Sequence, residues 1–362
     1  MKERRKRNMS RTGLLFMFCL LMLCGCAQIT GFMENTEVSG REVESLAAEK
    51  EDDTVLLGGM PVGIYMETDG VLVLDTEKMT GMDGKEYTPA QGVVSSGDYI
   101  TEVNHQKIEG KKQLMDLVEH LDGEKVLLTV RRENTILEKK LTPVQISKGN
   151  YRLGIWVRDN VQGLGTITFL TKNNRFAALG HGIHDIDTST LLTIKRGTLY
   201  RTSIQKVQKG SKGNPGTMEG IIVYNRFHQL GVIEKNTDAG IYGELNSDRS
   251  WIGEEVPIQV AKKEEIKTGE ARIRCYIDGE VKEYTICITQ IDKESDQVNK
   301  GMVIQVTDTE LLEKAGGIIQ GMSGSPIIQN GKLIGAVTHV FVQDSTKGYG
   351  IFIENMLKKE ES

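Results

Sequence analysis

Ser323 lies between two glycines in the stretch GIIQGMSGSPIIQNGKLIGAVTHV, Gly317 to Val340. A serine hydroxyl is a weak nucleophile until a base takes its proton and backbone amides receive the negative charge developing on the attacked carbonyl. The run Gly321-Met322-Ser323-Gly324-Ser325-Pro326 has the parts for the second task. Gly321 permits a turn in which its own N–H and that of Ser323 converge on an oxyanion, Gly324 removes bulk beside the hydroxyl, and Pro326 stiffens the exit. A purely structural Gly-Ser turn would not need both glycines and the proline. Ser325 is the lesser candidate, because no glycine follows it.

The proton must go to a base, and the chain has six histidines. His181 stands in AALGHGIHD, where a strand runs into Gly180-His181-Gly182, and flanking glycines again clear the site and allow a sharp turn. His184, three residues on, is the fallback. His105 and His120 belong to the region ahead of the β-rich part, and His228 and His339 read as ordinary surface or core histidines. A carboxylate should orient the imidazole. Asp185, Asp187, Asp238 in NTDAGIYG and Asp308 at the end of GMVIQVTD are all available, and spacing alone does not choose among them. No Cys or His spacing suits a metal, and this chemistry requires neither metal nor cofactor.

These groups need rigid strands behind them. From about Gln145 onward the chain reads as short apolar strands broken by Gly, Asn or Asp, among them GTITFLT, RFAALGHGI, RIRCYID, VKEYTICITQI and KLIGAVTHVFV. That spacing suits a β-barrel or sandwich. The segment CYIDGEVKEYTIC predicts a hairpin turning at Asp278-Gly279. Cys275 then faces Lys282 and Cys287 faces Glu270, so no disulfide joins them. The net charge of −5 gives no case for nucleic-acid binding, and 38% hydrophobic residues suffice for a folded core.

Ahead of this β-rich part, Leu114, Leu117, Val118 and Leu121 mark one apolar face of a helix. The stretch from Gly92 through Asp98-Tyr99-Ile100 to VNHQKI resembles a PDZ domain of the bacterial-protease type. On that resemblance Gly58-Gly59 with Pro61-Val62-Gly63-Ile64 is the carboxylate-binding loop. Gly59, Val62, Gly63 and Ile64 would then hold a peptide that adds as a strand. The N-terminus has a positive run (Lys2 to Arg11) and an apolar run, Gly13 to Leu23, the pattern of an export signal. LCGC at Leu23–Cys26 resembles a lipobox with Cys26 as the lipidated residue, and we expect a retained membrane anchor, by signal or lipid. The expected domains are an anchor over 1–32, an acidic linker over 33–53, a PDZ domain over 54–145 and a peptidase domain over 146–362.

The second part closely resembles the SpoIVB family (stage IV sporulation protein B), serine peptidases of endospore-forming bacteria. The carrying stretches are YRLGIWVRDNVQGLGTITF from Tyr151, ALGHGIHDIDT from Ala178, NTDAGIYG from Asn236 and GGIIQGMSGSPIIQNGKLIGAVTHV from Gly316. The resemblance implies a mainly β fold, with a chymotrypsin-like double β-barrel after a small α/β PDZ domain and an anchor. It implies the order His181, Asp308, Ser323 for base, orienting acid and nucleophile, and the choice of Asp308 rests on it. It also implies export across the forespore inner membrane and self-cleavage in the N-terminal region. The implied substrate is a regulator in the opposing membrane, whose cutting releases an intramembrane metalloprotease that processes a late mother-cell sigma factor precursor. The chain's own N-terminal region is a second expected partner of the enzyme, through the PDZ domain. Two other readings stand beside this one: an envelope quality-control protease with a PDZ domain, and a non-catalytic binding protein that works through its PDZ domain alone. Met322, where trypsin-like enzymes carry an aspartate, excludes activation by an ion pair to a freshly cut N-terminus.

Overall fold

The computed structural model describes residues 54–361. The basic run, the apolar run, Cys26 and the linker lie outside the described residues. Among the described residues no helix is long and apolar enough to cross a membrane.

The first strands along the chain are β1 (Thr54–Leu57), β2 (Pro61–Thr76), β3 (Met79–Thr80), β4 (Glu86–Tyr87), β5 (Tyr99–Val103) and β6 (Gln106–Lys107). Helix α1 (Lys111–Glu119) precedes β7 (Val126–Arg132), β8 (Thr135–Leu141), β9 (Val144–Ser147), β10 (Asn150–Arg152) and β11 (Ile155–Leu170). Then follow β12 (Arg175–Ala178), β13 (Ile194–Gln208), β14 (Thr217–Ile222), β15 (Gln229–Thr237), β16 (Gly240–Leu245) and β17 (Pro257–Val260). The last part holds β18 (Gly269–Ile277), β19 (Glu280–Ile291), β20 (Met302–Val306), α2 (Thr309–Ala315), β21 (Pro326–Gln329), β22 (Lys332–Phe341), β23 (Asp344–Phe352) and α3 (Ile353–Glu361).

Period-two patterning decides which side chains turn inward. In β18, Ala271, Ile273, Cys275 and Ile277 are buried, and in β19 so are Tyr284, Ile286 and Ile288. Each large aliphatic side chain so placed contributes about 1.5–3 kcal/mol. The two strands form the expected hairpin, with Cys275 opposite Lys282, Cys287 opposite Glu270, and both thiols free. Asp278 and Gly279 have φ of 58° and 93°, as a two-residue hairpin turn requires.

Antiparallel pairing closes two barrels. The first runs β2–β11–β12–β16–β15–β13 and returns to β2. Its core includes Ile64, Met66, Ile167, Phe176, Leu199 and Ile233. The second runs β18–β19–β20–β23–β22–β21 and returns to β18. Its core includes Ile273, Ile286, Ile304, Ile318, Ile327 and Phe352. β1 pairs with β11 and β17, and β17 runs parallel to β22, so this short ribbon ties the barrels together. The fold is therefore mainly β with two closed six-stranded barrels, as expected.

The domain boundaries differ from the expectation. β2 and β11 are both 16 residues long and pair along nearly their whole length. Their far halves join β5, β7, β8 and α1 around Val71, Val73, Ile100, Leu128 and Val130, and Ile155 and Val157 pack on the same core. Their near halves are barrel strands. The small domain therefore shares two continuous strands with the first barrel, and Pro61–Thr68 of β2 belong to the barrel. In α1 Leu114 is buried, and Leu117, Val118 and Leu121 pack half-buried against the small-domain core.

Candidate active site

Asp308 starts the segment that carries the serine. It caps α2: Oδ1 accepts from the Leu311 amide at 3.1 Å, and Oδ2 accepts from the Thr285 amide at 3.2 Å. Gly316 ends α2 with φ of 74°, a left-handed conformation that glycine adopts without a Cβ clash. The chain then passes Ser345, whose carbonyl accepts from Ile318 N at 2.7 Å, and reaches β14, where Met218 N donates to the Gln320 carbonyl at 2.9 Å.

The serine turn is held from the first barrel through its carbonyls. The Thr166 amide donates to Ser323 O at 2.9 Å, Thr166 Oγ1 to Gly321 O at 2.9 Å, and Thr168 Oγ1 to Gly324 O at 2.8 Å. The amides of Met322, Gly324 and Ser325 donate to the carbonyls of Ile319, Val337 and Met322. Those of Gly321 and Ser323 make no hydrogen bond within the described residues. Two unpaired N–H groups flank the Ser323 side chain, the equipment of an oxyanion hole. Gly324 is required here: its φ is 94°, and a Cβ would lie 2.0 Å from the Thr166 carbonyl oxygen. Ser325 is fully buried and its hydroxyl has no partner, so no substrate reaches it. Met322 is also fully buried.

His181 is brought to the same place. The Leu179 backbone packs on Gly324, and Gly180 packs on the Thr338 side chain. Nδ1 of His181 lies 2.8 Å from the Gly182 carbonyl oxygen. A protonated Nδ1 satisfies that contact and leaves the lone pair on Nε2, the tautomer a general base needs. Burial lowers the His181 pKa below its usual value, the Gly182 carbonyl opposes this, and nearby His184 adds to it. Ser323 Oγ donates to the Thr338 carbonyl at 2.7 Å, and is not hydrogen-bonded to His181. The ring of His339, the next residue, lies 4.6 Å from that of His181, centroid to centroid.

The structure thus packs the His181 loop against the serine turn, Leu179 on Gly324 and Gly180 on Thr338, while Asp308 is engaged at the start of α2. Both Asp308 oxygens are taken by backbone amides, and its charge is felt by Cys275 and Tyr284 rather than by His181. The other carboxylates are not at the imidazole either. Asp185 is buried against Arg158, and Asp238 is exposed after β15. His184 is exposed, with Nδ1 3.1 Å from the Gly182 carbonyl.

Sequence reasoning missed Thr166, Thr168, Asn236 and Thr338. Asn236 clamps the histidine loop, accepting from Ile183 N at 2.8 Å and donating to the carbonyls of Ile183 and Leu192. A usable signal was present for the threonines: at positions i and i+2 of an apolar strand they share one face.

The expected peptide loop is a barrel strand. Gly59 N donates to Ile167 O at 2.8 Å, and Val62 and Ile64 are buried in the first barrel. Gly63 sits between Leu164 on β11 and Tyr200 on β13. A strand paired along both edges cannot accept a third. A groove of about 610 Å³ lies instead between α1 and the start of β11, lined by Leu114, Met115, Val118, Tyr151, Ile155 and Trp156. There Ile155–Arg158 pairs with β2 along one edge only.

Among the described residues no group of three or more His, Cys, Asp or Glu is placed to hold a metal ion. A curated relative, a putative zinc metalloprotease of Helicobacter pylori, is 28% identical over 180 residues, covering 43% of this chain and 50% of its own. The chain thus spans about half the length of that relative. The PDZ domain of an SdrC-like protein from Listeria monocytogenes matches at 24% identity and a TM-score of 0.20, over 25% of this chain and 87% of that one. The active form of the Rv3671c protease from M. tuberculosis matches at 16% identity and a TM-score of 0.32, over 56% of this chain and 75% of that one. Residues 149–357, which hold His181, Ser323 and the strands that position them, match the family described as SpoIVB peptidase S55. With more than half of its length matched, the chain belongs to that family.

Proposed function

We propose that the chain is a serine endopeptidase with Ser323 as nucleophile and His181 as general base. The observation that carries this reading is the pair of amides, Gly321 and Ser323, that make no hydrogen bond within the described residues, in a serine turn packed against the loop of His181, whose Nδ1 contact to Gly182 O leaves Nε2 to take a proton. In the reaction Ser323 Oγ turns from the Thr338 carbonyl toward His181 Nε2, gives up its proton and attacks the substrate carbonyl. The two amides hold the resulting oxyanion. His181 passes the proton to the leaving amine, and water then releases the acyl group by the same route. The Gly182 carbonyl keeps the imidazole in the required tautomer. The groove between α1 and β11 is the docking place for an extended peptide, which adds to the free edge of Ile155–Arg158.

The finer reading follows the family. The enzyme is exported into the space between the two forespore membranes, stays membrane-anchored, and cuts a membrane-embedded regulator to start processing of a sigma factor precursor, and it also cuts itself. The test expresses the full chain and Ser323→Ala in a host cell, with N-terminal processing read by immunoblot and Ser323 probed with a fluorophosphonate. Labelling and self-processing that vanish in the variant support the reading, whereas a wild-type protein that does not label sinks it. Ready digestion of unfolded casein would favour the quality-control role over a signalling cut.

A further inference from the structure

The dipeptide Thr338-His339 touches both members of the proposed dyad. The Thr338 carbonyl holds Ser323 Oγ, and the His339 ring stacks on His181 at 4.6 Å with 33° between the planes. Thr338 is itself fixed, since its hydroxyl donates to the Asn299 carbonyl at 2.7 Å. Nδ1 of His339 is buried and makes no hydrogen bond within the described residues, so nothing but packing holds this ring against its neighbour. With Asp308 engaged elsewhere, among the described residues no carboxylate is hydrogen-bonded to the His181 ring, yet His181 must become a cation when Ser323 is deprotonated. Resting on the reading of Ser323 and His181 as nucleophile and base, we propose that His339 is a positioning residue, an uncharged ring that fixes the plane of His181 and carries its imidazolium on an aromatic face.

The surroundings suit this. The titratable and charged groups that face His339 are His181 and His184 from the histidine loop and Lys300 from the segment before β20. All are bases. Burial first, then these neighbours, bring the His339 pKa down to about 4, so its ring is neutral around pH 7. A cation within about 6 Å of an aromatic centroid is stabilised by the ring face, and the stacked distance meets that condition. A second positive charge on His339 would instead repel the imidazolium. Lys300 also lies over the Tyr349 ring, 5.1 Å from its centroid.

The test follows the rate of fluorophosphonate labelling of the full chain against pH, for wild type, His339→Phe, His339→Leu and His339→Met, with Ser323→Ala as blank and thermal unfolding of each. Phenylalanine keeps a ring face and should stay within about threefold of wild type, with its acid midpoint unmoved. Leucine keeps apolar bulk without the face. It should label about 3- to 30-fold more slowly at the plateau, with the acid midpoint lower by roughly 0.5–1.5 pH units, because the imidazolium has lost its support. Methionine should behave as leucine does, and serves if the leucine variant does not fold. Leucine or methionine variants that match wild type in plateau and midpoint overturn the inference, as does a folded phenylalanine variant as slow as they are. A wild-type protein that does not label overturns the nucleophile reading itself, a separate outcome.

Discussion

Replacing Asp308 by asparagine separates two accounts of that residue. If its carboxylate orients the base, as the family order implies, the amide fails in that role. The comparable change in a catalytic triad lowers turnover by about 10⁴-fold while leaving the geometry intact. The structure assigns Asp308 to the start of α2, where Oδ1 meets Leu311 N at 3.1 Å and Oδ2 meets Thr285 N at 3.2 Å. Asparagine is about as good an N-cap as aspartate, and its single carbonyl oxygen can keep the Leu311 bond. Its NH2 group cannot accept from Thr285 N, so one hydrogen bond is lost, a cost of about 1–2 kcal/mol. Alanine loses both, the Leu311 bond being the helix cap itself, for a total of about 2–4 kcal/mol. Because α2 leads straight into the serine turn, the alanine variant should also loosen Ser323. The assay is fluorophosphonate labelling of the full chain alongside urea unfolding. The expected result is Asp308→Asn within about tenfold of wild type in labelling, with the stability loss just given, and Asp308→Ala lower in both. A fall of about 10⁴-fold in Asp308→Asn with no change in unfolding would refute the argument and return Asp308 to the imidazole.

Three further outcomes are expected. Gly324→Ala sets a Cβ 2.0 Å from Thr166 O and 2.5 Å from Leu179 N, so it should abolish labelling and lower the thermal midpoint, since both contacts are backbone. Labelling of the wild type should rise with pH and be lost as pH falls, with a midpoint below 6.5, because burial lowers the His181 pKa and only the neutral ring accepts the serine proton. The same depression means that the unfolded chain takes up a proton first, so stability contributed by neutral His181 is present above pH 6.5 and declines below it, which urea midpoints across pH will show. In the α1–β11 groove Met115 is 55% exposed, so Met115→Glu should leave stability within about 0.5 kcal/mol and labelling unchanged while slowing cleavage of an extended substrate; unchanged self-processing and substrate cutting would rule the groove out as a docking place.

Legibility in the sequence followed range. The β18–β19 hairpin came out in register, down to the partners of Cys275 and Cys287, because a two-residue turn fixes every pair above it. His181 and Ser323 stood out in the sequence because each stands between glycines, and glycine marks places where backbone must turn sharply or approach closely. Pro61 to Ile64 were misplaced for the converse reason. Their glycines resemble a binding loop, yet the local pattern carries no information on which strands lie alongside, and β11 and β13 occupy both edges. The same limit hid Asn236 and the threonines of β11, whose partners lie far along the chain.

The sequence by itself determined the strands, their inward faces, the glycine-flanked serine and histidine, and the family to which they belong. Only the tertiary structure decided that two long strands are shared between the small domain and the first barrel, that Asp308 caps a helix, and that Thr338 and His339 meet Ser323 and His181. The physical reason is that alternation and turn residues act over a few bonds, whereas the partner of a strand edge or a carboxylate is settled by barrel closure, which brings residues as distant as Thr166 and Ser323 within a hydrogen bond.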